Sequence, residues 1–358
     1  MIWFQAQGFT QFQITLLLSV FFLSTTLAEI PTGLFSDRFG HHRAMACCGL
    51  FQAAGIIVLA FASHWGLATV GELLMGVGQA FYTGSKEAFL FNYLEEDRAA
   101  HLYQRDYARA KFFEFIGMAA GSLVGGSIYA FSPRAPFFLS AAAFLLAAVV
   151  ALNLKTVAVQ QAITGSWKNL LSGLSAVRHG SPQLQRLIAY YCGLFTFILI
   201  FIVTLVQPYL RGRGIPISLF GILFFLFQSA SMAGSFLANR IPEQRVSARF
   251  FSALAILLGG SFVGLTLMRG IGSTLWIGGI YFVWGLFLPT TSHATNRLIP
   301  SAQRATILSS QDFLQSFLFV LLAPLAGLMT DQWGMTAPLL LLGLGSFAAV
   351  AFSRKFAR

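Results

Sequence analysis

The sequence predicts an all-α polytopic membrane protein built from two helix bundles. Three observations lead there. Hydrophobic residues make up 56% of the chain and charged residues only 10%, where a soluble domain carries about 25% charged. The mean hydropathy is +0.72. The apolar residues are gathered into long runs, with most charges in the short segments between them. No stretch is long and polar enough to form a soluble domain, so a separate catalytic or nucleic-acid-binding module is excluded. The net charge of +11 is then read as loop arginines facing an anionic leaflet rather than as affinity for nucleic acid.

A helix crossing the hydrocarbon core needs about 20 predominantly apolar residues. Runs of that kind predict spans over 11–33, 44–63, 66–90, 108–131, 135–153, 187–210, 215–238, 250–269, 272–295, 306–329 and 336–353, about 11 in all. Four of the 23 Lys and Arg residues, Arg134, Arg211, Arg213 and Arg269, fall in one set of loops; Lys86 falls within a span, and the other 18 face the opposite side. Basic loops stay in the cytoplasm, so the C-terminus is expected to be cytoplasmic. The longest polar stretch, 154–186, separates an N-terminal bundle over 1–153 from a C-terminal bundle over 187–358. Within it Trp167, Leu170, Leu171 and Leu174 recur at helical spacing, which predicts a helix lying on the membrane surface.

Cys47, Cys48 and Cys192 lie in apolar runs without ligand partners and read as small packing residues. No Gly-rich phosphate loop, metal-ligand cluster or nucleophile–base pattern is present, so no enzyme activity, cofactor or metal is expected.

Between the first two spans lies Glu29-Ile-Pro-Thr-Gly33-Leu-Phe-Ser-Asp37-Arg38-Phe-Gly40-His41-His42-Arg43. This charged, Gly-punctuated turn marks a membrane surface. It resembles the loop between the second and third helices of major facilitator superfamily transporters, with pattern G-x-x-x-D-R-x-G-R-[RK]. Gly33, Asp37, Arg38, Gly40 and Arg43 match in type; Arg43 is displaced two places, and His41 and His42 stand where the basic pair would be. Asn239-Arg240, followed by Arg245, repeats the Asp37-Arg38…Arg43 spacing after the second span of the second half. Asn296 to Thr306 resembles the family's loop before its eleventh helix. Gly117 to Gly126 resembles the antiporter signature G-x-x-x-G-P-x-x-G-G, with Ser122 in place of proline. The resemblance covers essentially the whole chain. It implies two pseudo-symmetric six-helix bundles and a secondary transporter of a small organic solute working by alternating access. On that pattern, Met1 to Gln7 reads as the outer end of a first helix whose remainder is missing. The resemblance also implies that Asp37 meets the start of the 306–329 span and an arginine of the loop after 90, Arg105 or Arg109.

Within the spans, each ionisable side chain costs about 2.5–3.5 kcal/mol on insertion scales and marks a pathway or a partner. The candidates are Glu29, Glu72, Lys86, Glu87, Glu114 and Asp312. Glu72, Gly76, Gln79, Thr83 and Lys86 advance by four and three residues in turn, which predicts one polar face about 21 Å long on a single helix facing an aqueous cavity. The resemblance implies that the spans carrying Tyr281, Trp284, Thr291 and Thr295, and Thr196, Thr204 and Gln207, line the central cavity, and aromatic and amide residues there suit an amphipathic or cationic solute. Together these features favour a monomeric bacterial inner-membrane exporter coupled to protons, with membrane lipid and the solute as its partners. Uptake of a nutrient, or a non-transporting membrane protein of this fold, are the alternatives.

Overall fold

The computed structural model describes residues 1–83, 85–154, 167–238, 240–300 and 303–353, and these contain no strand. In chain order the helices are α1 (Ile2–Ala6), α2 (Gln11–Phe39), α3 (His41–Ala60), α4 (Trp65–Thr83), α5 (Lys86–Glu96), α6 (Tyr103–Phe131), α7 (Ala135–Leu152), α8 (Trp167–His179), α9 (Pro182–Ile200), α10 (Val206–Gly212), α11 (Phe220–Ala238), α12 (Ala248–Leu267), α13 (Thr274–Leu298), α14 (Arg304–Trp333) and α15 (Thr336–Ser353). A π-turn over Phe201–Leu205 joins α9 to α10. α8 is a helix where the spacing of Trp167 and its apolar neighbours predicts one. Ser181 caps α9, its side chain accepting from the Leu184 amide at 3.2 Å, with Pro182 in the first turn where no amide is needed.

Ten helical segments among the described residues are long and apolar enough to cross a membrane, one fewer than expected. The difference lies at 66–90. That stretch is two helices: α4 stops at Thr83 and α5 restarts at Lys86. Thr83-Gly84-Ser85 places three weak helix formers in a row. α4 itself has 19 residues, about 28 Å at 1.5 Å each, but Glu72 and Gln79 lower its hydropathy. Elsewhere the expected spans match observed helices to within a few residues, with one exception. α2 does not stop near Gly33. It runs on through Pro31 and the charged stretch to Phe39, as membrane helices tolerate an internal proline. The expected turn over 34–43 is a single residue, Gly40.

Gly40 has φ +94° and ψ 146°, a region essentially reserved for glycine. A Cβ there would also lie 3.1 Å from the His42 ring. Gly40→Ala is expected to destabilise this corner by about 1–3 kcal/mol, read as a lower apparent Tm of the purified protein; an unchanged Tm would contradict the strain.

The chain divides into two compact units, one of Leu17–Trp167 and one of Met1–Leu16 with Lys168–Arg358. In the first, α3 packs against α4 and α7. The α3–α7 contact is closest at Gly49, where a Cβ would lie 2.5 Å from the Phe144 carbonyl oxygen. α2 approaches α4 at Gly76, where a Cβ would overlap Ser24 Oγ and lie 2.6 Å from the Phe21 carbonyl. Thr25 Oγ1 donates to the Gly76 carbonyl there at 3.1 Å.

In the second unit, α12 packs against α13 and α15, and α11 against α13. α12 meets α15 at Gly259, where a Cβ would lie 3.0 Å from the Gly343 carbonyl, and α11 meets α13 at Gly285, where a Cβ would overlap the Ser231 carbonyl. The pairs α2–α4, α3–α4 and α3–α7 of one unit thus recur in order as α11–α13, α12–α13 and α12–α15 of the other, with glycine at equivalent crossings. That is the packing signature of an internal repeat. Small residues let membrane helices approach this closely.

Candidate functional site

At the Gly40 corner, the charged motif is helical on both sides. His41 and His42 are not in an exposed loop, as the sequence suggested. They form the first turn of α3, and both are buried. The His41 Nδ1 pairs with Ser36 Oγ at 2.5 Å, and Ser36 Oγ lies 3.1 Å from Ser85 Oγ. This chain of three side chains ties the end of α2 to the start of α3 and to the break before α5. Asp37 is half-buried and acts electrostatically on His41. Arg38 lies over the Phe39 ring at 5.2 Å, and Arg43 is exposed. Gly33 sits inside α2 with open space where a Cβ would be. Arg105 and Arg109 both pair with Asp106, at 2.9 and 3.5 Å.

The polar face expected along 72–86 is interrupted. Glu72 is 5% exposed, and Gly76, one turn on, is pressed against α2 rather than open to a cavity. Gln79 is half-buried, and the exposed Thr83 donates back to its carbonyl at 3.2 Å. Lys86 belongs to α5, beyond the break, and its ammonium lies 4.4 Å above the Tyr82 ring. The continuous helix on which the 4-3-4-3 spacing relied therefore ends before Lys86. The Glu87 side chain falls outside the described residues, and Glu114 is exposed on α6. Gln52 of α3, buried beside Gly78, has no hydrogen-bond partner for Oε1 among the described residues.

α9, α13 and α14 bring together a second set. Thr196 is fully buried, and its Oγ1 donates to the Gln315 carbonyl at 3.4 Å. The Cys192 thiol reaches the Gln311 carbonyl at 3.6 Å. These two contacts seat residues 311–315 of α14 on residues 192–196 of α9. Asp312 is exposed, between Gln311 and Gln315, which are 5% and 6% exposed. It acts electrostatically on Tyr191 and Cys192. Tyr191 stacks on Phe287 at 5.6 Å and meets Phe195 at 5.4 Å. Tyr191, Gln311 and Gln315 were missed from the sequence, although Gln311-Asp312 and Gln315 at i, i+1 and i+4 in an apolar run were visible there.

The other cavity candidates lie on α10 and α13. Tyr281 is 1% exposed and packs on Phe227 at 5.4 Å and on Trp284 at 5.9 Å. The Trp284 Nε1 and Thr295 Oγ1 have no partner among the described residues. Thr291 donates to its own helix at the Phe287 carbonyl, 2.6 Å away. Gln207 is half-buried on α10.

A further contact escaped the sequence entirely. Asp331, near the end of α14, accepts from the Gln11 and Phe12 amides at 2.9 and 2.8 Å, capping the first turn of α2. Gln11 Nε2 donates to the Thr204 carbonyl in the π-turn at 2.9 Å. Nothing local in the sequence links residues 320 positions apart.

Two cavities open on the separate units, of about 430 and 510 Å³. The smaller is lined by Gln183, Ser247 and Arg297 at the ends of α9, α12 and α13; the larger is an apolar groove between α3 and α7. Neither includes Glu72 or Asp312.

The sequence profile of the Major Facilitator Superfamily matches residues 1–310. The chain belongs to that superfamily. Solved structures of superfamily fold agree over nearly its full length. A point mutant of the nucleoside transporter NupG superposes with a TM-score of 0.80 at 14% identity, covering 99% of this chain and 93% of that one. NupG itself gives 0.76 at 13% identity, with 99% and 92% covered. A bacterial homolog of the human lysosomal transporter Spinster, in an inward-facing and occupied conformation, gives 0.77 at 14% identity, with 99% and 90% covered. At such identities the likeness establishes the fold. With ten apolar helices, this superfamily member is a multi-pass membrane protein with a transporter's architecture.

Proposed function

We propose that this superfamily member moves a small organic solute by alternating access, exporting it in exchange for protons across a bacterial inner membrane. The observation that carries the reading is the presence of carboxylates within otherwise apolar spans, Glu72 buried on α4 and Asp312 on α14. Such groups mark solute or proton pathways. Gly33, Asp37, Arg38, Gly40 and Arg43 act as the conformational switch, and the α9–α13–α14 cluster faces the solute. The protein works as a monomer. Likeness to a nucleoside transporter keeps uptake as the second reading.

Purified protein in proteoliposomes, screened against a solute panel with and without a pH gradient, tests this. Gradient-driven accumulation of a solute supports proton-coupled export. Movement that ignores the gradient removes the coupling, and no movement of any solute removes the transport reading.

The charge asymmetry of the loops supports a cytoplasmic C-terminus. Reporter fusions after Arg43 and after Arg358 are both expected to read as cytoplasmic. A periplasmic signal from either would reverse the orientation.

A further inference from the structure

Residues 311–315 of α14 present three polar groups that the rest of the described structure leaves unanswered. Gln311 Oε1 and Gln315 Nε2 are buried without hydrogen-bond partners among the described residues, which costs stability if nothing satisfies them. One is an acceptor and the other a donor. Between them stands the exposed Asp312, with no ion-pair partner among the described residues. It lies six residues into an apolar span of 28, about 9 Å from its start. A carboxylate at that depth calls for a cation or a proton. On α9, against which this stretch of α14 packs, Tyr191 feels the Asp312 charge and meets the half-exposed Phe195, their ring centroids 5.4 Å apart. Aromatic rings beside a carboxylate favour a positive charge with a planar group attached.

Resting on the transport reading above, we infer that Asp312, Gln311, Gln315, Tyr191 and Phe195 form the recognition site for a small organic cation, a protonated amine bearing a flat ring. The amine pairs with Asp312, the unpartnered Gln311 Oε1 and Gln315 Nε2 hydrogen-bond its polar substituents, and the ring lies against Tyr191 and Phe195. An isolated cation exchanged for nothing would satisfy the carboxylate but not the two amides, which is why the ligand is organic.

The test uses three probes that share one frame and differ in charge: phenethylamine, 2-phenylethanol and phenylacetate. Binding to the full chain in detergent is measured calorimetrically at pH 7. The amine is expected to bind at least tenfold more tightly than the alcohol or the acid. Asp312→Asn is expected to weaken amine binding at least tenfold, Asp312→Glu to restore most of it, and Gln315→Leu to weaken it several-fold. Equal affinity for the three probes, or no amine binding, overturns the site in the wild-type protein without recourse to any variant. Unchanged amine affinity in Asp312→Asn overturns it as well and leaves Asp312 as a proton carrier only. Proteoliposomes that move neutral or anionic solutes while amines fail to bind would sink this site and leave the transport reading standing.

Discussion

Gly285→Val is expected to abolish assembly of the α11–α13 pair, with Gly76→Val doing the same for α2–α4. At Gly285 even a methyl group would occupy the position of the Ser231 carbonyl oxygen, and at Gly76 that of Ser24 Oγ. The obstruction at Gly285 is backbone. Relief requires moving a whole helix, since a side chain cannot swing aside. Overpacking a core typically costs about 1–3 kcal/mol and occasionally more, and two valine methyls against a fixed carbonyl lie at the upper end. Ser24 can rotate, so Gly76→Ala is the milder lesion, yet the Phe21 carbonyl 2.6 Å away still limits it. Gly278, with open space around its Cβ position, is the control: Gly278→Ala should fold normally. Monodisperse protein by size-exclusion chromatography, with Tm by dye-based unfolding, reads the result. Normal yield and Tm in Gly285→Val would show that the helices do not meet there.

Asp331→Ala should free the first turn of α2. Two charge-assisted bonds from backbone amides hold that turn, where the helix dipole adds its own attraction for an anion. Asp331 is exposed, so solvent screens the contact and its net worth is about 1 kcal/mol, roughly a fivefold change in the opening equilibrium of that turn. Asp331→Asn retains one acceptor and should lie between. Gln11→Leu removes the second tie, to Thr204. A cysteine at Phe12 should then react with a membrane-impermeant thiol reagent several-fold faster in Asp331→Ala than in its absence, in a background lacking Cys47, Cys48 and Cys192. Equal labelling rates would mean that the cap holds nothing.

Much of the architecture was legible because hydrophobicity is additive along a helix. A run of 20 apolar residues announces a span whatever surrounds it, and α7, α12 and α15 lie where the composition put them. The misreadings have local causes. Pro31 and Gly33 argue for a stop on propensity, yet α2 continues because a membrane environment leaves its backbone no alternative to helical hydrogen bonds. At 66–90 the apolar tally hid the end of α4 at Thr83 and the start of α5 at Lys86, so Lys86 was placed on a helix it does not belong to. The candidate site was legible only in its charges. Asp312 declared itself by type, whereas Gln311 and Gln315 became informative only once their burial and missing partners were known. Asp331, exposed at the end of a helix and partnered across most of the chain, had no sequence signal.

The π-turn at Phe201–Leu205 has a further consequence, for the phase of the helix it interrupts. Each extra residue in a helical turn advances everything after it by about 100°. The residues of α10 therefore point elsewhere than the periodicity of α9 would carry them, and Gln207, about 120° from Phe195 in unbroken α-helical register, is brought to about 20° from it. Reversion of that turn to α-helical register would rotate Val206–Gly212 as a block without bending the axis. It would pull Tyr209 Oη from the Leu265 carbonyl, 2.8 Å away, and the Thr204 carbonyl from Gln11. A single residue of helical slack is thus enough to convert rotation within one membrane helix into the making or breaking of contacts with two others.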